Sequence, residues 1–332
     1  MGSAGFSAGF AGYITLDYTA SSPYVAYQDG ANSNKASVME YTSGWSVIGT
    51  GFSGGAANYM SFCYTPSGLF AAYQDGSSTY PTVQTFTSSW VTVGGTPLTA
   101  DPHTSIYYDA VGGYTFLAYS DGSQSNKATV IQYNGSNTWV TVGAAGFTSG
   151  SATSLSLGVY NGIKYLAYVD TANGNKATVM SDSGGGWFVL GGTSGFSAGA
   201  INEISLDVST GTPYVAFSDQ STTPTGKATV MKYNGSSWAN LGTAAFTPGL
   251  AAYLSLKVQG GIPYLSYQDG AHSNYLSVMS YNGSSWGNVG PAGFSAGGTS
   301  YTSLSISGSV PYVAFTDGST TPPGKATVMY YQ

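Results

Sequence analysis

Tyr24-Val-Ala-Tyr-Gln-Asp29 is an extended run with large and small apolar residues on both faces and an aspartate at its end. It returns as Phe70-Ala-Ala-Tyr-Gln-Asp75, Phe116-Leu-Ala-Tyr-Ser-Asp121, Tyr165-Leu-Ala-Tyr-Val-Asp170, Tyr214-Val-Ala-Phe-Ser-Asp219, Tyr264-Leu-Ser-Tyr-Gln-Asp269 and Tyr312-Val-Ala-Phe-Thr-Asp317. The steps between aspartates are 46, 46, 49, 49, 50 and 48 residues. A period of that length marks a repeat architecture, and seven such units account for all 332 residues as one domain.

Around this phrase each unit carries three further strand patterns. Before it lies an alternating stretch, strand A, as in Ile14-Thr-Leu16-Asp-Tyr18, with Thr15, Ser61, Ser105, Ser156, Ser205, Ser255 or Ser303 between its first two apolar positions. A small residue there lets a neighbouring unit approach the innermost strand. The phrase itself is strand B. Strand C follows, as Lys127 to Tyr133, Lys227 to Tyr233 and Lys325 to Tyr331, and strand D reads Trp-x-x-[Val/Ile/Leu]-Gly from each of the six tryptophans, Trp45, Trp90, Trp139, Trp187, Trp238 and Trp286. Asn-Gly at 134, 234 and 282 predicts a type I′ turn between C and D, which explains the three Asn-Gly-Ser sequons without glycosylation.

Four antiparallel strands per unit and no helical periodicity predict an all-β, seven-bladed β-propeller, with blades of about 2–50, 51–96, 97–145, 146–193, 194–244, 245–292 and 293–332. The repeats resemble the Trp-x-x-Val-Gly and Gly-Phe-Ser-Ala-Gly blades of secreted repetitive propellers and, more distantly, propeller lectins. Kelch di-glycines, the Trp-Asp dipeptide and sialidase Asp-boxes are absent from the sequence. The resemblance implies a repetitive binding surface outside the cell.

Composition narrows the partners. With no arginine, eight lysines against fourteen carboxylates and a net charge of -6, the chain lacks a surface for neutralising phosphates, which argues against nucleic acid. No apolar run is long enough for a membrane span, and the start lacks the basic and apolar regions of a signal peptide. Sparse charge with abundant Tyr, Ser, Thr and Gly suits an extracellular or cell-surface protein. Cys63 is the only cysteine and is read as a small buried residue.

Strand order places the seven strand-B aspartates on the face that carries the B-to-C and D-to-A loops. Five face a lysine across the loop, Asp29/Lys35, Asp121/Lys127, Asp170/Lys176, Asp219/Lys227 and Asp317/Lys325, which predicts a cross-strand ion pair with an Asx-turn. In blades 2 and 6 the lysine position holds Tyr80 and Tyr275, leaving Asp75 and Asp269 uncompensated beside an aromatic ring. A ring with a neighbouring acceptor is what sugar recognition needs, so Asp75, Tyr80, Asp269 and Tyr275 are the candidate ligand residues.

No cofactor or metal site is expected. The loops at 29–34, 121–126 and 170–175 are the calcium candidates, but each offers one carboxylate where hard-cation sites gather several. His103 and His272 fall in different units, and no acid, base and orienting group assemble, so no enzyme is expected.

The ends break the symmetry. Gly2 to Gly9 aligns with Gly290 to Gly297, so the chain starts just after a strand D and stops just before one. The seventh blade is then expected to lack its outer strand, the ring to close by face-to-face packing, and Lys325, Thr327, Val328 and Tyr331 to form an open edge for strand addition. The expected function is multivalent recognition, most directly of glycans. The alternative is a structural module of a surface or filamentous assembly, joined to other surface proteins or to itself through that edge.

Overall fold

A computed structural model describes residues 1–18, 22–94 and 104–331. Seven antiparallel sheets follow one another along the chain, six of four strands and the last of three, each in the order A-B-C-D. Blade 1 has strands A (Ala11–Tyr18), B (Pro23–Asp29), C (Lys35–Tyr41) and D (Trp45–Gly49). Blades 2 to 6 run from Ala57–Thr65 to Trp90–Thr92, Thr104–Asp109 to Trp139–Thr141, Ala152–Tyr160 to Phe188–Val189, Ile201–Asp207 to Trp238–Asn240, and Ala251–Gln259 to Trp286–Asn288. Blade 7 has A (Thr299–Ser307), B (Val310–Asp317) and C (Lys325–Tyr330).

Strand B is buried along most of its length because a blade is covered on both faces. The core is accordingly a series of apolar clusters between blades. Tyr165, Ala167 and Val179 of blade 4 pack on Ile204, Leu206 and Phe217 of blade 5, and Tyr312, Ala314 and Val328 of blade 7 pack on Ile14, Leu16 and Tyr27 of blade 1.

The small strand-A hydroxyl does more than make room. Backbone N–H groups of Ile106, Leu157, Leu206, Leu256 and Leu304 donate to Ser61, Ser105, Ser156, Ser205 and Ser255 of the preceding blade at 2.9–3.1 Å. Leu16 N–H donates to Ser303 Oγ at 2.9 Å, so the same bond joins the last blade to the first.

Strand D explains its own motif. Trp139, Trp187, Trp238 and Trp286 donate Nε1–H to the carbonyls of Val93, Val142, Leu190 and Leu241 in the preceding blade. Each indole lies over the glycine that ends that blade's Trp-x-x-[Val/Ile/Leu]-Gly; a Cβ at Gly94 would sit 2.1 Å from Trp139 Cδ1. The other indole face stacks on the phenylalanine of the loop before its own blade, as in Phe52–Trp90 (4.0 Å, 3°) and Phe147–Trp187 (4.3 Å, 5°).

Ring closure differs from the expectation of packing alone. Met1 N donates to Val328 O at 2.7 Å and Phe6 N–H to Ala326 O at 3.0 Å, while Ser7 Oγ accepts from Ala326 N–H. These repeat the bonds of Val289 and Phe294 to Val278 and Leu276 in blade 6. The first residues therefore cover most of the outer edge of strand C in blade 7. The D-to-A loops among the described residues pair backward onto the preceding blade, a habit that blade-by-blade alignment does not reveal.

The turns between C and D also depart from type I′. Gly135, Gly235 and Gly283 have φ of 79°, 98° and 98°, but the asparagines before them do not have positive φ. Their side chains cap the turn instead, with Asn234 Oδ1 accepting from the Ser236 and Ser237 N–H groups.

Candidate functional site

The strand-B aspartates lie on the long-loop face as expected, and all seven are buried. Their oxygens are used locally. Asp29 accepts from Ala31 N–H, Asn32 Nδ2 and Ser37 Oγ, and Asp317 from Ser319 N–H, Ser319 Oγ and Thr327 Oγ1. The strand-C hydroxyl in turn accepts from the following loop: Gly51 N–H on Ser37 and, across the ring closure, Gly5 N–H on Thr327. Six of the seven aspartates thus tie their own Asx-turn, strand C and a D-to-A loop together, while in blade 2 Asp75 bonds the loop N–H groups directly. Asp29, Asp170, Asp219 and Asp317 make no ion pair with the lysines opposite; among the described residues Lys164 pairs with Asp182, and His272 Nδ1 lies 2.9 Å from Asp269 Oδ2. An N–H or O–H bond satisfies a buried carboxylate without burying a flexible lysine, which is the physical reason the expected pairs do not form.

The same chemistry alters the standing of Asp75 and Asp269. Asp75 is 6% exposed and accepts from Gly54, Gly55 and Ser77 N–H groups and from Ser77 Oγ. Burial pushes its pKa up, but these donors outweigh it and hold the carboxyl below its usual value. Asp269, 1% exposed, faces His272 Nδ1 at 2.9 Å and accepts from Ala271 N–H and Ser277 Oγ, so it is not uncompensated. Tyr80 is 37% exposed, and Tyr275 lies directly opposite Asp269 in the sheet. The two pairs sit on blades 2 and 6, with blades 7 and 1 between them, and are not brought together. The calcium candidates at 29–34, 121–126 and 170–175 are single 3-10 turns capped by Asp29, Asp121 and Asp170.

A different group converges at the channel mouth on this face. Strand A carries a β-bulge two residues before its hydroxyl, at Gly12/Thr15, Asn58/Ser61, Thr153/Ser156, Ala252/Ser255 and Ser300/Ser303. There Tyr13, Tyr59, Ser154, Tyr253 and Tyr301 adopt φ of 46–54°. Positive φ is costly for a tyrosine, and a bulge re-aims the side chain it carries. The rings form an arc over four consecutive blades, with Tyr253–Tyr301, Tyr301–Tyr13 and Tyr13–Tyr59 centroids 5.1, 4.9 and 5.1 Å apart. Burial and the neighbouring phenols push Tyr13 up to about 12.

In blade 5 the same position holds Glu203, whose Oε2 accepts from Leu254 N–H of blade 6 at 3.3 Å. Burial raises its carboxyl to about 7. Residues two before the strand-A hydroxyl read Tyr, Tyr, His, Ser, Glu, Tyr, Tyr around the ring. That variation beside a constant hydroxyl was the available signal, and it includes His103, which lies outside the described residues. Below the mouth the channel opens into a cavity of about 430 Å³ lined by the hydroxyl ring and by Asp17, Tyr107, Asp207 and Lys257. Cys63 is buried there, its thiol pushed well up by burial.

The edge of blade 7 is narrower than expected. Thr327 and Val328 are buried, and Lys325 and Val328 lie in the stretch covered by residues 1–7. Among the described residues of this edge, Tyr330 and Tyr331, 45% and 50% exposed, remain uncovered.

No family model matches the chain, and no curated protein does. Solved structures do match in fold. A mutant of the lectin of Aleuria aurantia in complex with Fucα1-6GlcNAc aligns with a TM-score of 0.54 at 16% identity, covering 87% of this chain and 98% of the lectin. A PL25 ulvan lyase, a polysaccharide lyase, aligns at 0.59 and 12% identity over 100% of this chain and 95% of its own. A mutant Trypanosoma rangeli sialidase displaying trans-sialidase activity aligns at 0.53 and 11% identity over 97% of this chain and 54% of its own. At these identities the likeness is one of fold. No helix among the described residues is long and apolar enough to cross a membrane.

Proposed function

We propose that the protein is a non-enzymatic glycan-recognition module that works outside the cell, with the channel mouth on the long-loop face as its binding site. The observation that carries this reading is the arc of Tyr253, Tyr301, Tyr13 and Tyr59, held rigid by bulges and placed beside one carboxyl group. Tyrosine faces stack on sugar rings at low entropic cost, and their hydroxyls add polar contacts. Two of the fold neighbours, the Aleuria aurantia lectin and the ulvan lyase, have saccharides bound, which adds support of a general kind. Glu203 stands without a second carboxyl in the arc, whereas glycoside hydrolysis calls for a pair, and this favours binding over turnover.

A glycan array tests the proposal. Binding that falls at least about tenfold in the Tyr13→Ala/Tyr301→Ala double variant, with its melting temperature checked, is the expected result. An array blank for the wild type would end the reading.

The blade 7 edge favours a second reading, a structural module joined by strand addition. Among the described residues no tryptophan stacks on Phe294 and no indole donates to the Val289 carbonyl, as happens at the equivalent places of blades 4 to 6, and Tyr330 and Tyr331 are exposed at the end of strand C. A partner strand bearing a tryptophan fits these three features. A fluorescent Asn-Gly-Ser-Ser-Trp-Gly-Asn peptide should bind and a Trp→Ala version should not; equal behaviour of the two rules the reading out.

A further inference from the structure

The mouth pairs aromatic faces with negative charge, and the described residues at its register include no lysine or arginine. At its register the described residues are four tyrosines, Ser154 and Glu203. The lysines of this face, such as Lys35 and Lys176, begin strand C, two strands further out from the axis. Resting on the glycan reading above, we infer that the mouth takes a cationic saccharide, one whose amino groups are free, with an ammonium held between the Glu203 carboxylate and the tyrosine arc.

Three observations lead there. A tyrosine face attracts a cation through its quadrupole, and the tilt of 44–50° between successive rings in the arc offers faces from several directions. Glu203 is fixed at the end of that arc, because its carboxyl bonds the backbone of Leu254, the residue after Tyr253. The whole chain carries -6, so a cationic chain of sugars is drawn toward it, whereas an acidic one would meet neither arginine nor lysine among the described residues at the register of the arc, Lys257 lying in the cavity below with Asp17 and Asp207. Burial that holds Glu203 near neutrality adds to the argument, since an incoming ammonium supplies the counter-charge that the site lacks.

The test compares short glucosamine oligosaccharides with their N-acetylated counterparts, which have the same backbone and no charge. Calorimetry at neutral pH and low salt should show the free-amine ligand binding about tenfold more tightly, since an ion pair and a cation–π contact each contribute modestly. Glu203→Gln keeps an acceptor for Leu254 N–H, so it should fold and abolish the tenfold preference, bringing the two ligands to similar affinity. Three outcomes overturn the inference. Equal or tighter binding of the N-acetylated ligand does so while leaving glycan recognition standing. A preference that persists in Glu203→Gln shows bulk attraction to an acidic protein rather than this site. Failure of every glycan on an array removes both readings together.

Discussion

Glu203 is the residue whose protonation the fold changes most usefully. Its carboxyl ordinarily titrates at 4.5 and is raised to about 7 by burial. Between these values the folded chain keeps a proton that the unfolded chain has released. The group's contribution to stability is therefore fully present below pH 4.5 and is lost as pH rises through about 7. The difference in melting temperature between wild type and Glu203→Gln should consequently drift against the wild type as pH climbs through that window. A difference that stays constant would mean the carboxyl is not held near neutrality. The aspartates of the opening phrase teach the converse. Their spacing was plain in the sequence, but six of them staple an Asx-turn, strand C and a D-to-A loop together, because N–H and O–H donors satisfy their oxygens without a lysine.

At the scale of the element, strand D and its glycine form a single device. Gly94, at φ 98°, would place a Cβ 2.1 Å from Trp139, while Gly235 has the same φ and nothing within 4 Å. Gly94→Ala should thus lose about 1–3 kcal/mol more than Gly235→Ala in chemical denaturation, the excess being the overpacking of an indole that cannot move off the blade. Equal losses would assign the glycine to backbone strain alone. The tryptophan period was easy to find in the sequence. Its reason was not, because the contact joins residues one blade apart, such as 94 and 139, and no local pattern reports it. The same limit hid the bulge. Tyr13-Ile14-Thr15 reads as ordinary alternation, and only the pairing of Gly12 with Gln28 and Thr15 with Ala26 shows that two residues stand opposite one.

For the whole molecule, blade count, strand order and the orientation of the two faces were legible because they follow from a strict period and from strand alternation. What the period conceals is whatever differs between copies at a fixed position, and the channel mouth is built of such differences. The ring of strand-A hydroxyls shows the opposite case: constant, bonded to the next blade all the way from Ser61 to Ser303, and structural.

The pairing of Met1 with Val328 joins residues 327 apart in the chain. Strand C of blade 7 is made long after strand A of blade 1, so blade 1 has no neighbour on one side until blade 7 exists. Its Ile14, Leu16 and Tyr27 face water until then. The entropic cost of closing so long a loop grows only with the logarithm of its length, so the delay lies in waiting for the far end to exist rather than in bringing the ends together. Closure of the ring thus waits for blade 7, and blade 1 is the blade exposed for longest to wrong partners.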